Sequence, residues 1–243
     1  MPLLISAKQY ERALDICIQH NVPIQEDLVR KMIPDDEPTT AMEKSKRNDL
    51  IKTIAEKCRK QGSFELASNL NLKVGDKITS LKCLIELGDP AKVIAFANTA
   101  RSADTYVLAA NFLQTADWHQ NPDLMKNIIM FYQKAKAFEN LSSFFEACSN
   151  VEIDEYRDYE KAAAALKEAI KHMSKANSPD KEYRIETLTG KKNLIDRFIA
   201  LKDMAETDPA GMVSGCQALL HEVHIPLFSR TSSNRCGGGT YLP

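Results

Sequence analysis

Residues 62–67 read Gly62-Ser63-Phe64-Glu65-Leu66-Ala67, and altered copies of this phrase recur along the chain. The other copies are Tyr10-Glu11-Arg12-Ala13, Phe138-Glu139-Asn140-Leu141 and Tyr159-Glu160-Lys161-Ala162. Each copy opens a run in which apolar residues follow at helical spacing. An aromatic residue at the start of the second helix, with a small residue three positions later where the two helices touch, is typical of repeated helical hairpins. The phrase therefore predicts a chain built from antiparallel helix pairs.

Helical periodicity extends over most of the sequence. Ile51, Ile54, Ala55 and Cys58, for example, lie at positions i, i+3, i+4 and i+7. Alternation of period two is nearly absent, and the β-branched residues are scattered among good helix formers. We therefore predict an all-α protein. The expected helices lie near residues 10–20, 24–32, 41–60, 64–74, 76–87, 90–100, 103–116, 122–136, 138–149, 157–176, 180–206 and 209–223.

Several predicted helices begin at a polar residue followed by proline. A side-chain oxygen accepts a hydrogen bond from a free N–H of the first turn, and proline at the first helical position has no N–H to leave unpaired. These pairs are Asp89-Pro90, Asn121-Pro122, Ser178-Pro179 and Asp208-Pro209. Thr40 with Glu43 predicts a capping box. Breaks between helices are expected at Gly62, Gly75 and Gly88.

The domain organisation follows from the short connections. Consecutive helices joined by a few residues pack antiparallel, and a dozen of them in series favour an α-solenoid over a closed bundle. The copies of the phrase are unevenly spaced, which indicates a degenerate array. We predict one helical-repeat solenoid over residues 1–225, with residues 33–39 as a solvated connection. From residue 226 the helical period is lost and three consecutive glycines follow, so residues 226–243 are expected to form a disordered tail.

Composition excludes several classes of function. Lys plus Arg (32) nearly balances Asp plus Glu (33), so the chain lacks the basic excess of a nucleic-acid-binding protein. No stretch has the length of a membrane span, and the first residues lack the features of a secretory signal, which predicts a cytoplasmic protein. Nucleophile elbows, Walker-type loops and dinucleotide fingerprints are absent from the sequence. We therefore expect no catalytic activity and no cofactor.

The cysteines and histidines do not form a metal-binding pattern. The six cysteines, at positions 17, 58, 83, 148, 216 and 236, include no Cys-x-x-Cys pair. We expect them to be reduced thiols that pack as small hydrophobic side chains. His221 and His224 lie three residues apart instead of the four of zinc proteases, and no fourth ligand is placed. No metal site is predicted.

Two groups of residues are candidates for protein contacts. Trp118, Phe144 and Phe145 are either exposed anchors for a partner or fillers of the stack between hairpins, and aromatic residues at helical spacing favour the second role. The acidic residues Glu152, Asp154 and Glu155 lack the glycine and ligand spacing of a calcium loop. They form either a solvated approach to the next helix or a surface that attracts a basic partner.

Four ordered segments resemble the C-terminal tetratricopeptide region of intraflagellar transport complex A subunits. They are residues 3–24, 106–114, 125–132 and 147–156, which include the phrases Leu3-Leu4-Ile5-Ser6-Ala7-Lys8-Gln9-Tyr10 and Ala147-Cys148-Ser149-Asn150-Val151-Glu152-Ile153-Asp154-Glu155-Tyr156. The resemblance covers roughly residues 1–225. It implies an α-solenoid of degenerate tetratricopeptide-like antiparallel helical hairpins.

The resemblance also implies a function. Members of this family are non-enzymatic scaffolds for retrograde ciliary transport and for import of membrane cargo. The implied partners are other complex A subunits and ciliary cargo adaptors, and the implied locations are the cilium, axoneme and basal body. Family members carry two N-terminal β-propellers, so the resemblance implies that this chain is a truncated product, a splice form or a fragment. The residues alone leave open a vesicle-coat or tethering solenoid of similar design.

Overall fold

The computed structural model describes residues 2–7, 9–20, 22–33 and 40–232, and in these residues it contains helices and no strand. The all-α class is thereby confirmed. In chain order the helices are α1 (Pro2–Ser6), α2 (Tyr10–Gln19), α3 (Glu26–Met32), α4 (Ala41–Lys60), α5 (Phe64–Lys73), α6 (Lys77–Leu87), α7 (Pro90–Ala100), α8 (Ala103–Leu113), α9 (Pro122–Ala135), α10 (Phe138–Val151), a π-helix (Glu152–Tyr156), α11 (Tyr159–Met173), α12 (Lys181–Asp203) and α13 (Pro209–Ser232).

The recurring phrase marks helix starts as predicted. Its aromatic residue is the first residue of α2, α5, α10 and α11. The fourth residue of each copy is fully buried; these are Ala13, Ala67, Leu141 and Ala162. Because α10 and α11 are consecutive helices that pack against each other, the phrase opens both members of a hairpin there. It is therefore not restricted to the second helix of a pair.

Most of the predicted helix caps are present. Asn121 Oδ1 accepts from the N–H of Asp123 at 3.1 Å and of Leu124 at 3.2 Å, and Thr40 forms its capping box with Glu43. The prediction that Ser178-Pro179 caps α12 is wrong. The N–H of Lys181 bonds to the carbonyl of Ser178 at 3.3 Å in a turn, and α12 begins only after that turn.

The chain divides into two compact units, residues 1–137 and residues 138–243. The first unit contains α1 to α9 and the second contains α10 to α13 with the π-helix. Within each unit, most helices that follow one another pack together, as hairpins do, whereas α2 packs on α4. The expectation of one solenoid over residues 1–225 stays a prediction, because each unit is described by itself.

In the first unit, the side chain of Gln61 holds the connection between α2 and α3 against the C-terminal end of α4. Its amide oxygen accepts from the N–H of Ile24 at 3.0 Å, and its amide nitrogen donates to the carbonyls of Cys17 at 3.2 Å and Val22 at 2.9 Å. Gln61 directly follows α4, and Gly62 then takes a left-handed conformation (φ +79°) that ends the helix. One amide thus fixes the connection from α2 to α3 against α4.

The second unit is held together by aromatic packing and a group of charges. Phe144 is fully buried, and Ser142 Oγ donates to the carbonyl of Ala169 at 2.8 Å across the α10–α11 contact. Glu146 of α10 accepts from Arg184 Nη2 at 2.9 Å and from Lys191 Nζ, both on α12. Burial, the largest single influence, raises the pKa of Glu146, but the hydrogen bonds and positive charges of Lys191 and Arg184 together lower it.

The C-terminal helix is longer than predicted. Helix α13 runs to Ser232, past the expected end near residue 223, and so includes residues 226–232 of the predicted disordered tail. The predicted end depended on the loss of helical period from about Pro226 and on the three consecutive glycines that follow. No glycine occurs between Pro226 and Ser232, however, and the helical backbone continues through the proline. Residues 233–243 of the predicted tail lie outside the described residues, as do residues 34–39 of the predicted connection.

The cysteines follow their predicted role where the structure describes them. Cys17, Cys58, Cys83 and Cys148 are buried and free, and Cys216 is partly exposed and free. Burial raises the pKa of the Cys58 thiol to about 11 and that of Cys148 to about 12, which keeps both protonated. Cys236 lies outside the described residues. In the described part of the chain, every helix is too short or too polar to cross a membrane.

Candidate docking surfaces

One side of α5 forms the floor of a groove in the first unit. Glu65, Asn69 and Leu72 lie on this side at positions i, i+4 and i+7, and all three are exposed. Three adjoining cavities of about 460, 530 and 530 Å³ lie over this floor, and Asn69 lines all of them. Helix α3 lines one end and α7 the other. We call this surface the α5 groove.

The groove side of α5 faces outward because the other residues of α5 pack against α6. Ala67, Ser68, Leu70 and Asn71 are buried beneath the groove, and Leu70 and Ser68 also line its cavities from below. The hydroxyls of Ser68 and Ser80 lie 2.8 Å apart, and Ser80 Oγ also donates to the carbonyl of Ser68 at 2.8 Å. Small side chains at this contact let α5 and α6 approach closely. The exposed polar residues of α5, which are Glu65, Asn69 and Lys73, are left on the groove side.

The charges that line the α5 groove are mostly positive. The cations belong to five residues and the anions to two: Arg30, Arg47, Lys73, Lys77 and Lys92 against Glu26 and Glu65. The groove therefore carries a net charge of +3 (five minus two), in a chain whose formal net charge is −1.

Three of these cations already have contacts. Arg30 pairs with Glu26 at 2.9 Å, Lys92 pairs with Glu65, and Lys77 Nζ donates to the carbonyl of Ala100 at 3.0 Å. These contacts fix the walls of the groove. They do not cancel its positive excess.

Polar groups on the floor of the α5 groove and at its α3 end have unused hydrogen-bonding capacity. Arg47 Nε is buried and has no hydrogen-bond partner in the described part of the chain. Lys73 and the amide of Asn69 are exposed, and within the described residues neither side chain makes a hydrogen bond or ion pair. Leu72, with 46% of its surface exposed, lies between them. The groove thus combines donors, an amide and an apolar side chain on one floor.

The second unit carries a surface of a different kind, which we call the apolar pocket. Its cavity of about 290 Å³ is lined by Ile153, Tyr159, Leu194, Ile195, Phe198, Leu219 and Leu220. The rings of Tyr159 and Phe198 contact each other at 4.6 Å between centroids. Leu220 is 61% exposed. The pocket offers apolar area and almost no polar group.

The predicted acidic group lies beside the apolar pocket, in the π-helix. Ile153 lines the pocket, Asp154 and Glu155 are exposed, and Glu152 is partly buried. Glu152 Oε2 is buried and has no hydrogen-bond partner among the described residues. The predicted solvated approach to a helix agrees with this position, because α11 begins three residues after the π-helix ends. The π-turn itself has no signal in the sequence that we recognised.

The predicted aromatic anchors are not brought together. Phe144 fills the core of the second unit, which is the filling role that the sequence analysis favoured. Phe145 is partly buried and stacks on His172, with 5.5 Å between ring centroids. Trp118 is partly exposed in the connection between α8 and α9, where its ring meets His119 edge to face at 5.6 Å. For Trp118 and Phe145 the anchor role stays a prediction.

Sequence reasoning missed the residues of the α5 groove. The signal was present, because Glu65, Asn69 and Lys73 repeat at four-residue steps with Leu72 among them. A leucine on an otherwise polar helix side marks a surface that is not simply solvated. Among the described residues, no three of His, Cys, Asp and Glu are grouped to hold a metal ion.

Two family models match the chain. The first describes the tetratricopeptide-repeat domain of intraflagellar transport proteins 140 and 172, and it matches residues 1–131. The second describes the C-terminal tetratricopeptide-repeat domain of intraflagellar transport protein 140, and it matches residues 139–232. The gap between the two matches contains the boundary between the two units. The second match extends to the last residue of α13 and includes the π-helix.

Proposed function

This chain belongs to the tetratricopeptide-repeat family of intraflagellar transport protein 140, and on that premise we propose that it is a scaffold segment of intraflagellar transport complex A. In this role it supports retrograde ciliary transport and the import of cargo through contacts with other proteins. The predicted class of tetratricopeptide-like helical hairpins is confirmed. The resemblance to complex A subunits is also confirmed, and the matched family is that of the 140-kilodalton subunit.

One observation carries the proposal: the two family matches cover both units in their chain order. A single repeat-like helix pair is weak support for any one function, because many repeat proteins share it. Two ordered matches to tetratricopeptide regions of one family are far more specific. Both units also expose surfaces of a kind that protein partners cover.

We further propose that the chain has no catalytic activity. Titratable groups with strongly shifted pKa values mark candidate active sites, so their surroundings are informative. Burial raises the pKa of Tyr132 to about 12, and its hydroxyl donates to Asn111 Oδ1 at 2.7 Å as part of the α8–α9 contact. Glu146 joins α10 to α12, and the buried cysteines fill cores. Each of these pKa shifts therefore arises at a contact that holds the helices together.

The proposed partners are other complex A subunits and ciliary cargo adaptors, and the proposed locations are the cilium, axoneme and basal body. The candidate contact residues on the second unit are Glu152, Asp154 and Glu155, which lie beside the apolar pocket. An acidic rim next to apolar area suits a partner with basic and apolar side chains. Trp118 is a further candidate on the first unit.

The test is affinity purification of the tagged chain from ciliated cells, followed by quantitative mass spectrometry. We expect enrichment of complex A subunits over a tag-only control. A variant with Phe131→Ala and Phe144→Ala, which damages the core of each unit, is expected to lose that enrichment. Recovery of vesicle-coat or tethering components without ciliary transport subunits would overturn the proposal.

A further inference from the structure

We propose that the α5 groove binds a segment of a partner protein that combines acidic side chains with apolar ones. The inference deepens the proposed function and rests on it only for the need of a protein partner. It concerns the chemistry of that partner, which the family matches do not specify.

The charge of the groove favours an acidic segment. With five cations and two anions along its lining, the groove attracts carboxylates and repels a basic segment. Lys73 is exposed without an ion-pair partner in the described part of the chain, so it is free to meet a carboxylate. At the far end, Lys92 pairs with Glu65 and contacts Asp89 Oδ2 at 3.9 Å, so a ligand carboxylate there competes with groups of the chain itself. The strongest attraction is therefore expected at the Arg47–Lys73 end.

Arg47 supplies an independent reason to expect a ligand at that end. Its side chain lines the cavity at this end, and its buried Nε has no hydrogen-bond acceptor among the described residues, so a ligand reaches the Nε once the side chain turns into the groove. An unsatisfied buried donor costs free energy that a matching acceptor restores. A carboxylate is the acceptor that the planar guanidinium group matches best, because it can accept two parallel hydrogen bonds.

The floor of the groove favours a segment that is also apolar. Leu72 is nearly half exposed, and Leu66 and Phe96 are partly exposed on the two sides of it. Covering these side chains removes apolar surface from water, which favours binding. A purely acidic segment, or a nucleic acid, would leave this gain unused and would also meet Glu26 and Glu65.

Asn69 lies where the three cavities meet, so it is placed to hold the backbone of the bound segment. Its amide offers two donor hydrogens and an acceptor oxygen on one exposed side chain. Because its amide makes no hydrogen bond within the described residues, it can pair with a peptide N–H and C=O without losing a contact. Asn69 therefore positions the segment, while the cations and Leu72 select its side chains.

The experiment uses the purified full chain and three fluorescein-labelled peptides of equal length. One repeats the triplet Glu-Leu-Asp, one repeats Lys-Leu-Arg and one repeats Glu-Ser-Asp, so charge and apolar character vary separately. Fluorescence anisotropy at low and high salt measures each affinity. A short single-stranded DNA of mixed sequence serves as a polyanion without leucine.

We expect the Glu-Leu-Asp peptide to bind at least about tenfold more tightly than the other three probes, and to weaken as salt rises. The variant Arg47→Glu with Lys73→Glu is expected to lose about tenfold in affinity, and Asn69→Ala about threefold. The matched control, Lys44→Glu with Lys126→Glu, changes two exposed lysines outside the groove and is expected to stay within about twofold.

Circular dichroism and thermal unfolding of each variant show whether the fold is kept, and only folded variants are compared. Equal binding of all probes, tighter binding of DNA, or an unchanged affinity in the groove variant would overturn the inference. If the peptides fail while the chain still recovers complex A subunits from cells, the inference falls and the proposed function stands. If the chain binds the Glu-Leu-Asp peptide but recovers no complex A subunits, the inference stands and the proposed function falls.

Discussion

The α5 groove of the first unit and the apolar pocket of the second unit are built from the same kind of helix pair but are lined in opposite ways. Charged and amide side chains line the groove together with apolar ones, whereas aliphatic and aromatic side chains line almost all of the pocket. In the first unit, small residues such as Ser68 and Ser80 are buried behind the groove. In the second unit, large residues such as Phe198 stay partly at the surface. Helix packing therefore fixes only the inward positions of a repeat, and the outward ones are free to diverge.

This difference has a consequence for binding. The groove has a positive excess, whereas the pocket is flanked by Glu152, Asp154 and Glu155. Partners of opposite charge are expected at the two surfaces. The comparison holds only if each surface depends on the core and contacts of its own unit, and the following predictions test that condition.

The largest effect is expected from truncating one core aromatic in each unit. Phe144→Ala and Phe131→Ala each remove a fully buried ring, which we expect to cost about 3–5 kcal/mol of stability. Hydrogen exchange measured by mass spectrometry should show that Phe144→Ala deprotects α10 and α11 first, and that Phe131→Ala deprotects α8 and α9 first. Equal loss of protection throughout the chain for both variants would contradict separate cores.

A smaller effect is expected from Glu146→Gln, which weakens the support of the α12 wall of the apolar pocket. The variant keeps the shape but loses the charge that Arg184 and Lys191 contact, at a cost of about 2 kcal/mol. The pKa of Glu146 in the folded state is lowered, so its stabilisation is present above the unfolded-state pKa of about 4.3 and is lost as the pH falls through the folded-state pKa.

Urea unfolding of the parent chain and the Glu146→Gln variant at a series of pH values measures this contribution. The difference in stability between them should be full near neutral pH and should shrink below about pH 4. Glu139→Gln, an exposed acid on the same helix, is the control and should show little difference at any pH. A difference in stability that grows as the pH falls would show that the charge of Glu146 does not stabilise the second unit.

In the first unit, Gln61→Ala removes the amide that holds the turn before α3, one wall of the α5 groove. Three hydrogen bonds to Cys17, Val22 and Ile24 are lost, and we expect a cost of about 1 kcal/mol or somewhat more. Hydrogen exchange should increase over residues 22–33 and stay unchanged in the second unit. Gln133→Ala, at an exposed position of α9, is the matched control. An equal increase in hydrogen exchange in Gln61→Ala and Gln133→Ala would show that the hydrogen bonds of the Gln61 amide contribute nothing to stability.

The smallest effect is expected from His172, which is buried in the second unit between the rings of Phe138 and Phe145. Burial, followed by the charge of Lys175, lowers its pKa, although Glu168 opposes this. The unfolded state therefore binds the proton more readily, and stability decreases as the pH falls below the unfolded-state value of about 6.5.

Chemical denaturation at about pH 7.5 and about pH 5.5 tests this sign, because histidine changes charge in that window. The parent chain should lose some stability in the second unit on acidification, and His172→Gln should lose less. Acidification that stabilises the parent chain more than the variant would show that the histidine gains a partner for its charged form.

The sequence predicted the helices well where chemistry marks both ends. Helix α4 has the predicted bounds because the Thr40–Glu43 capping box starts it and Gly62 ends it. Helix α13 differs from its predicted end because the loss of apolar period after Pro226 does not interrupt the helical backbone, which continues to Ser232. The π-helix was missed because an inserted residue in a helical turn leaves the local composition helical.

The candidate sites were harder to predict because exposure depends on which helices cover a side chain. Phe144 and Phe145 are adjacent in sequence, yet one is fully buried and the other only partly. The burial of Ala13 and Ala67 could be predicted, since the recurring phrase places them between helices. The α5 groove could be predicted only in part, because α5 supplies its floor but its two ends come from α3 and α7, which are distant in sequence.

The hydroxyl contact between Ser68 and Ser80 lies behind the groove, yet it governs the geometry in front. Because α5 rests on side chains of minimal bulk, any methyl group added at that hidden junction would lift its helix toward solvent and make the cleft shallower. A substitution at Ser80, which lines none of the three cavities, can thus alter recognition without changing a residue that the bound protein contacts.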